Sequence, residues 1–489
     1  MRKVIELQME FWKKDISQIQ FNLKSRDEIP KLLMGLQYIY SIPKVREEVF
    51  KILKRIVPIN KHKTGRPGMD LWKILVLGTL RLNCNWDFDK VHEIANNHTK
   101  LRQMLGHSKN DFDSFYALQT IRDNIALLTP QILDEINQVV IKAGHSIIMT
   151  KKDQDLKGSC DSFVVETDVH YPTDTNLLYD AIRKTIHLTA IICSEIGITV
   201  WRQSHHNIMK VKGLLRGIQK LKRSTSKDKA KIEKRDKLII MEHQNYIDVC
   251  QGFISKAEET IRLLRELGFL SMTQELRLTT IEKYIRHAKR QIDQIRRRIV
   301  LDEKIPHDEK VFSIFQPHTE WISKGKAGVP QELGLKVCVL KDQYGFILHH
   351  QVMQQETDDK VAVDMAQGAK DRFENMVSCS FDKGFYSSAN KRELGKILDY
   401  VILPKKGRLS AKDKEIEHSE EFVKSRRKHS AVESSINALE NHGLDRCLDH
   451  GLHGFKRYVG LSVLARNIQI LGHLLQQKER KRQKRSKAA

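Results

Sequence analysis

The chain has 489 residues, 40% of them hydrophobic, which is enough for two to four domains with real cores. Lys+Arg 85 against Asp+Glu 61 leaves a formal charge of +24, which favours phosphate polymers or, less specifically, anionic membranes as partners. Its 7 cysteines are scattered with no CxxC pair, and no apolar run approaches membrane-spanning length, which argues against zinc ribbons, disulfide frameworks and membrane spans.

Residues 1–155 read as a helical region with breaks at Pro30, Pro43, Pro58 and Pro67. The opening MRKVIELQMEFWKKD has no apolar signal core, so the expectation is a reducing cytoplasmic setting. A basic segment at 61–68, containing Arg66, leads into an apolar helix at about 70–82, a polar turn at 83–87 and a second helix from Phe88. Such a pair is either plain hairpin packing or a reader that presents one helix to a DNA groove, with Arg66 touching the DNA.

A short β-prone run ends at Asp168 and is followed by a turn at Pro172 and a helix at about 176–193. Residues 205–305 form a basic helical insertion. Between 210 and 237 it holds twelve Lys/Arg against three Asp/Glu. Further on, Ile281, Ile285, Ala288, Ile292, Ile295 and Ile299 mark the seam of a coiled coil or long helical hairpin, and residues 224–226 suggest a turn. Strand character returns in VFSIF (311–315), then in ELGLKVCVL and GFILHHQVM, which flank a turn-like KDQYG as a hairpin. Next come a helix near 359–374, a strand ending at Asp382, a helix near 388–398, a strand at 400–403, a helix carrying Glu433 and an apolar helix at 457–475. The order predicts an α/β class: a mixed sheet with flanking helices, interrupted by a long helical insertion. The domains expected are 1–155, a core in two parts (156–204 and 306–476), the insertion at 205–305 and a disordered basic tail at 477–489.

Asp168 and Asp382 at strand exits, with Glu433 on a downstream helix, are the acids that sequence alone would bring together. Carboxylates at strand ends are rigid and can hold Mg²⁺ while leaving room for substrate phosphate. On a 3.6-residue period His429, Glu433, Asn437 and Glu440 share a face, which makes Glu440 the alternate to Glu433. Arg426, Arg427 and Lys428, with His429, are placed to hold phosphates. Glu166, Asp174 and Asp180 compete with Asp168, and Asp174 reads better as a helix cap. His170, His205 and His206 read as polar groups at a site edge or on the surface.

The segments ETDVHYPTDTNLLYDA, PHTEWISKGKAGVPQELGLKVCVLKDQYGFILHH, SFDKGFYSSANKREL and RRKHSAVESSINALENHGLDRC resemble bacterial insertion-sequence transposases of the DDE type, nearest the ISNCY group. GRPGMD and the helices after it resemble the N-terminal DNA-binding region of related transposases. The resemblance implies an RNase H-like core in which Asp168, Asp382 and Glu433 are both the catalytic and the metal residues. They would bind two Mg²⁺ ions, with Mn²⁺ as a substitute. It implies cleavage at terminal inverted repeats, direct strand transfer into target DNA, a homodimer or higher synaptic assembly, and a nucleoid-associated protein. The Tyr-x2-Arg-x3-Glu-x6-Lys signature common in the superfamily is matched only at its glutamate; its other places hold Arg426, His429 and Glu440. The alternatives are an RNase H-like nuclease or resolvase and a non-catalytic DNA-binding protein derived from a transposase.

Overall fold

A computed structural model describes residues 15–57, 68–108, 114–149, 154–223, 225–268, 270–323 and 331–488. The chain divides into two units, Met1–Asp168 with Glu320–Ala489, and Val169–Thr319.

The first unit opens with helices α1 (Glu28–Ser41), α2 (Pro43–Leu53), α3 (Leu71–Asn83), α4 (Phe88–Asn97), α5 (Thr99–Met104), α6 (Leu118–Ile125) and α7 (Pro130–Ile148). Local chemistry sets these starts. Asp27 accepts a hydrogen bond from the Ile29 amide at 2.7 Å, Asp87 accepts one from the Lys90 amide at 2.7 Å, and Pro130 opens α7 after the Thr129 cap. Twelve residues of α3 are buried, from Leu71 to Asn83, because the helix is apolar nearly all round. That burial removes α3 from any reading role. Only α4 of this pair keeps an outer polar face, with Val91 and Ala95 turned inward. The N-terminal helices share one hydrophobic core with the sheet rather than forming a separate head.

Strand β1 (Leu156–Thr167) crosses the centre of a seven-stranded mixed sheet. It begins seven residues before the predicted run, because Leu156, Gly158 and Cys160 alternate inward between Lys157, Ser159 and Asp161. The other strands of the unit are β2 (Glu320–Ser323), β3 (Gln331–Lys341), β4 (Ile347–Val352), β5 (Met376–Phe381), β6 (Tyr400–Ile402) and β7 (Arg446–Cys447). β1 lies antiparallel to β3, with Ser159 opposite Lys341, and parallel to β5, with Ser159 opposite Ser380 and Cys160 opposite Phe381. β6 extends the parallel side, β4 and β2 share the far edge of β3, and β7 meets only the last two residues of β1. The β3–β4 hairpin forms as predicted. Asp342 Oδ1 accepts the amides of Tyr344 and Phe346 at 2.9 Å, and Gly345 takes φ +94°.

The remaining helices of the first unit are numbered after those of the second, which holds α8 (Asp174–Ile196), α9 (Ser204–Lys222), α10 (Lys229–Glu266) and α11 (Met272–Ile299). These four pack around their own apolar core, and the predicted seam from Ile281 to Ile295 is buried in α11. α8 belongs here rather than with the sheet, so the insertion begins at Val169, not at 205. Its cap is Thr173, with Asp174 one residue inside and paired with Arg298 at 2.7 Å. VFSIF forms no strand; Ile314 is buried in this helical core.

Back in the first unit come α12 (Asp358–Arg372), α13 (Ser388–Ile397), α14 (Ala411–Glu417), α15 (Glu420–His429), α16 (Ala431–Leu439) and α17 (Gly451–Ala488). α17 runs through the segment expected to be disordered, and Arg480 is anchored there by a hydrogen bond to the Leu23 carbonyl at 2.8 Å. α1 and α17 cross at two glycines. A Cβ on Gly35 would stand 2.2 Å from the Ile468 carbonyl oxygen, and one on Gly472 would stand 1.8 Å from that of Lys31. Only glycine permits so close a crossing. Among the described residues no helix is long and apolar enough to cross a membrane.

Candidate active site

Parallel pairing between β1 and β5 ends at Cys160 and Phe381. The next residue on each strand is an aspartate, Asp161 on β1 and Asp382 at the exit of β5. Adjacent strands are about 4.8 Å apart, so the register sets the two backbones side by side. β1 continues beyond this point with no neighbour on that edge until β7 pairs Glu166 and Thr167. A gap therefore opens beside Asp161, where β1 has an antiparallel neighbour on one side and a parallel one on the other. Such switch points at strand carboxyl ends are where open α/β sheets bind their ligands.

Ser159, Asp161, Lys341 and Ser380 lie on one face of the sheet, and α15 and α16 cover that face. The Lys341 ammonium donates to the Ala431 carbonyl at 2.6 Å, and Ser380 Oγ and His429 Nδ1 are 3.0 Å apart. A kink at Ser430 separates α15 from α16 and puts Glu433 in the first turn of α16. Glu440 starts the irregular turn that ends this helix, two turns or about 10 Å farther along.

The negative charge of the neighbouring acids is felt at Asp161. Burial raises the Asp161 carboxyl to about 6; the Ser162 amide, 2.7 Å away, opposes the shift, and the charges of Asp382, Asp358 and Glu433 add to it. Burial lowers the His429 pKa, against the opposing pull of Asp382 and Glu433. His429 Nε2 is buried with no hydrogen-bond partner among the described residues, an orphan polar atom at the edge of an acidic cluster. Asp358 is at the start of α12 on the opposite face, where it accepts from Ser162 Oγ at 2.6 Å and pairs with Lys336 at 3.1 Å. Those bonds tie it down as a support rather than leaving it available as a ligand.

Of the residues predicted from sequence, Asp382, Glu433 and His429 come together, and Asp168 does not join them. It lies seven residues beyond Asp161, about 23 Å along an extended strand, exposed and 3.9 Å from Arg446. Arg446 also pairs with Glu166 at 3.1 Å. Asp161 takes the place that sequence reasoning gave to Asp168. The signal exists only once the strand is known to begin at Leu156: a carboxylate then falls in the middle of a strand, a position that is rarely occupied without a partner. Arg426, Arg427 and Lys428 are exposed on the last turn of α15. Arg66 lies outside the described residues. In the helical unit, His170 pairs with Asp180 at 2.6 Å, while His205 and His206 are exposed.

Among the described residues no three His, Cys, Asp or Glu side chains stand close enough, as placed, to ligate one ion. The donor chemistry still suits a hard divalent cation: carboxylate oxygens only, those of Asp382 and Glu433 exposed, with the half-buried Asp161 carboxyl raised by burial and by the negative charge around it. Compared with known families, characterised proteins and solved structures, the chain gives no match.

Proposed function

We propose that the chain is a DDE-type DNA transposase on an RNase H-like core, with Asp161, Asp382 and Glu433 as its acidic triad. The observation that carries this reading is the register placing Asp161 beside Asp382 at the end of parallel pairing, with Glu433 close enough to raise the Asp161 carboxyl. The sheet order, with antiparallel β4, β3 and β1 continued by parallel β5 and β6, supports the RNase H-like assignment. The large positive charge supports a DNA substrate.

Asp161, Asp382 and Glu433 would hold two Mg²⁺ ions, or Mn²⁺ in their place. Bound there, such ions supply Lewis-acid activation of a water or 3′-hydroxyl and stabilise the leaving oxygen of a phosphodiester. The chain's own residues do the rest. Without metal, burial and the neighbouring acids hold the Asp161 carboxyl up at about 6, and a divalent cation bound there would favour its ionised form. His429 is held neutral by burial and fixed through Nδ1 by Ser380, which leaves Nε2 to meet a phosphate oxygen. Arg426, Arg427 and Lys428 provide exposed cations for flanking phosphates. Bringing two element ends together calls for a dimer or larger synaptic assembly on nucleoid DNA.

The test incubates purified full-length protein with DNA carrying the native flanks of its gene, with Mg²⁺ or with EDTA. Wild type should release 3′-hydroxyl ends and join them to target DNA, while Asp382→Asn binds the DNA and does neither. Equal cleavage by Asp382→Asn defeats the assignment, and cleavage that never leads to joining favours a nuclease.

A further inference from the structure

We propose that helix α9 docks lengthwise on the sugar–phosphate backbone of duplex DNA, an inference that rests on the reading of the chain as a DNA-acting enzyme. α9 carries Lys210, Lys212, Arg216, Lys220 and Lys222, with Arg223 as its C-cap, and contains no Asp or Glu. Its neighbours mix both signs and spend their cations internally. Arg265 pairs with Glu282 at 2.8 Å, Lys289 with Glu258 at 2.6 Å and Arg277 with Glu195 at 2.7 Å. Among the described residues Lys212, Arg216, Lys220 and Arg223 make no ion pair of that kind.

Helical geometry sorts α9 into two faces. Val211, Leu215 and Ile218 are buried in the core of the helical unit. Lys212, Arg216, Lys220 and Arg223 step by four, four and three residues along the outer side, about 6 Å apart. That spacing lets successive cations meet successive phosphates of one strand, and the 19-residue helix spans about 28 Å, most of a duplex turn.

A second observation is independent of charge. Gly213 and Gly217, one turn apart, lie on this outward side in the middle of the helix, and a Cβ built on either meets nothing within 4 Å. Packing does not require them, and a mid-helix glycine is destabilising relative to alanine. Bare backbone beside the row of cations allows a phosphate chain to approach closely, and a longer side chain would hold it off. Duplex DNA is the polyanion that the arrangement fits: rigid, extended and regularly charged.

The test measures binding of the full-length protein to a random-sequence duplex in EDTA, across a range of salt concentrations. Lys212→Ala/Arg216→Ala/Lys220→Ala should flatten the log–log salt dependence by up to about 2.7, at about 0.9 for each phosphate no longer neutralised. Gly213→Gln/Gly217→Gln removes no charge and strengthens the helix. It should keep the salt slope yet weaken binding about tenfold, with thermal stability at or above that of wild type. An unchanged slope in the triple variant, or wild-type affinity in the glycine variant, overturns the docking proposal. If strand cleavage by the wild-type protein is intact in parallel, that result leaves the catalytic reading standing. Failure of wild type to bind duplex at all overturns both.

Discussion

Replacing Asp161 with Asn should stabilise the metal-free protein while destroying its activity. The folded state holds the Asp161 carboxyl at about 6, well above its ordinary value of 3.8. At 1.36 kcal/mol per unit the upper limit is about 3 kcal/mol, and solvent screening at a partly exposed site reduces it to about 1–2 kcal/mol. The sign follows from proton binding. Between pH 4 and 6 the native state holds the proton more tightly than the unfolded chain does. The stabilisation linked to that proton is complete below 3.8 and lost as pH rises through 6. At pH 7.5 the ionised group therefore works against the fold. Asparagine can still accept the Ser162 amide and carries no charge. Thermal unfolding of the full chain in EDTA should give Asp161→Asn a transition roughly 2 °C above wild type at pH 7.5. The difference should vanish near pH 4. Adding Mg²⁺ or Mn²⁺ should raise wild type more than the variant. A variant less stable than wild type at pH 7.5, or an offset independent of pH, refutes the idea that burial and the neighbouring acids disfavour the charge on Asp161.

His429→Gln should reduce strand cleavage by about 10- to 100-fold with little change in metal-induced stabilisation, because its orphan Nε2 is assigned to phosphate rather than to an ion; the absence of a metal response would contradict that role. Gly472→Ala should destabilise the fold by about 1–3 kcal/mol, since the added methyl must separate α17 from α1; an unchanged melting transition would mean that the crossing relaxes freely. Arg426→Ala/Arg427→Ala should weaken DNA binding and flatten its salt slope by up to about 1.8, and an unaltered slope would remove this turn from the interface.

Much of the architecture is legible in the sequence. The helix beginning at Phe88, the hairpin around Asp342–Gly345 and the isoleucine seam of α11 announce themselves through caps, turn residues and periodicity. Asp161 is harder to read. LKGSCDS is small and polar enough to pass for a loop, and its alternation emerges only once β3 and β5 pair with it. Asp168, after the visibly apolar stretch, looks like the strand exit that matters, yet it is the partner register that decides which acid faces Asp382. VFSIF misleads for a related reason: a short apolar run does not state whether it joins a sheet or plugs a helical core. In the basic tail, charge suggests disorder, but α17 is already a long helix when it arrives there and continues through it.

The most direct measurement compares Asp161→Asn with Asp168→Asn, side by side, in strand cleavage and joining with Mg²⁺ on DNA bearing the native flanks. Asp161→Asn should lose both activities, by at least a thousandfold, while Asp168→Asn stays within a few-fold of wild type. Activity that survives Asp161→Asn and disappears with Asp168→Asn would contradict the account and return the first acid to the far end of β1.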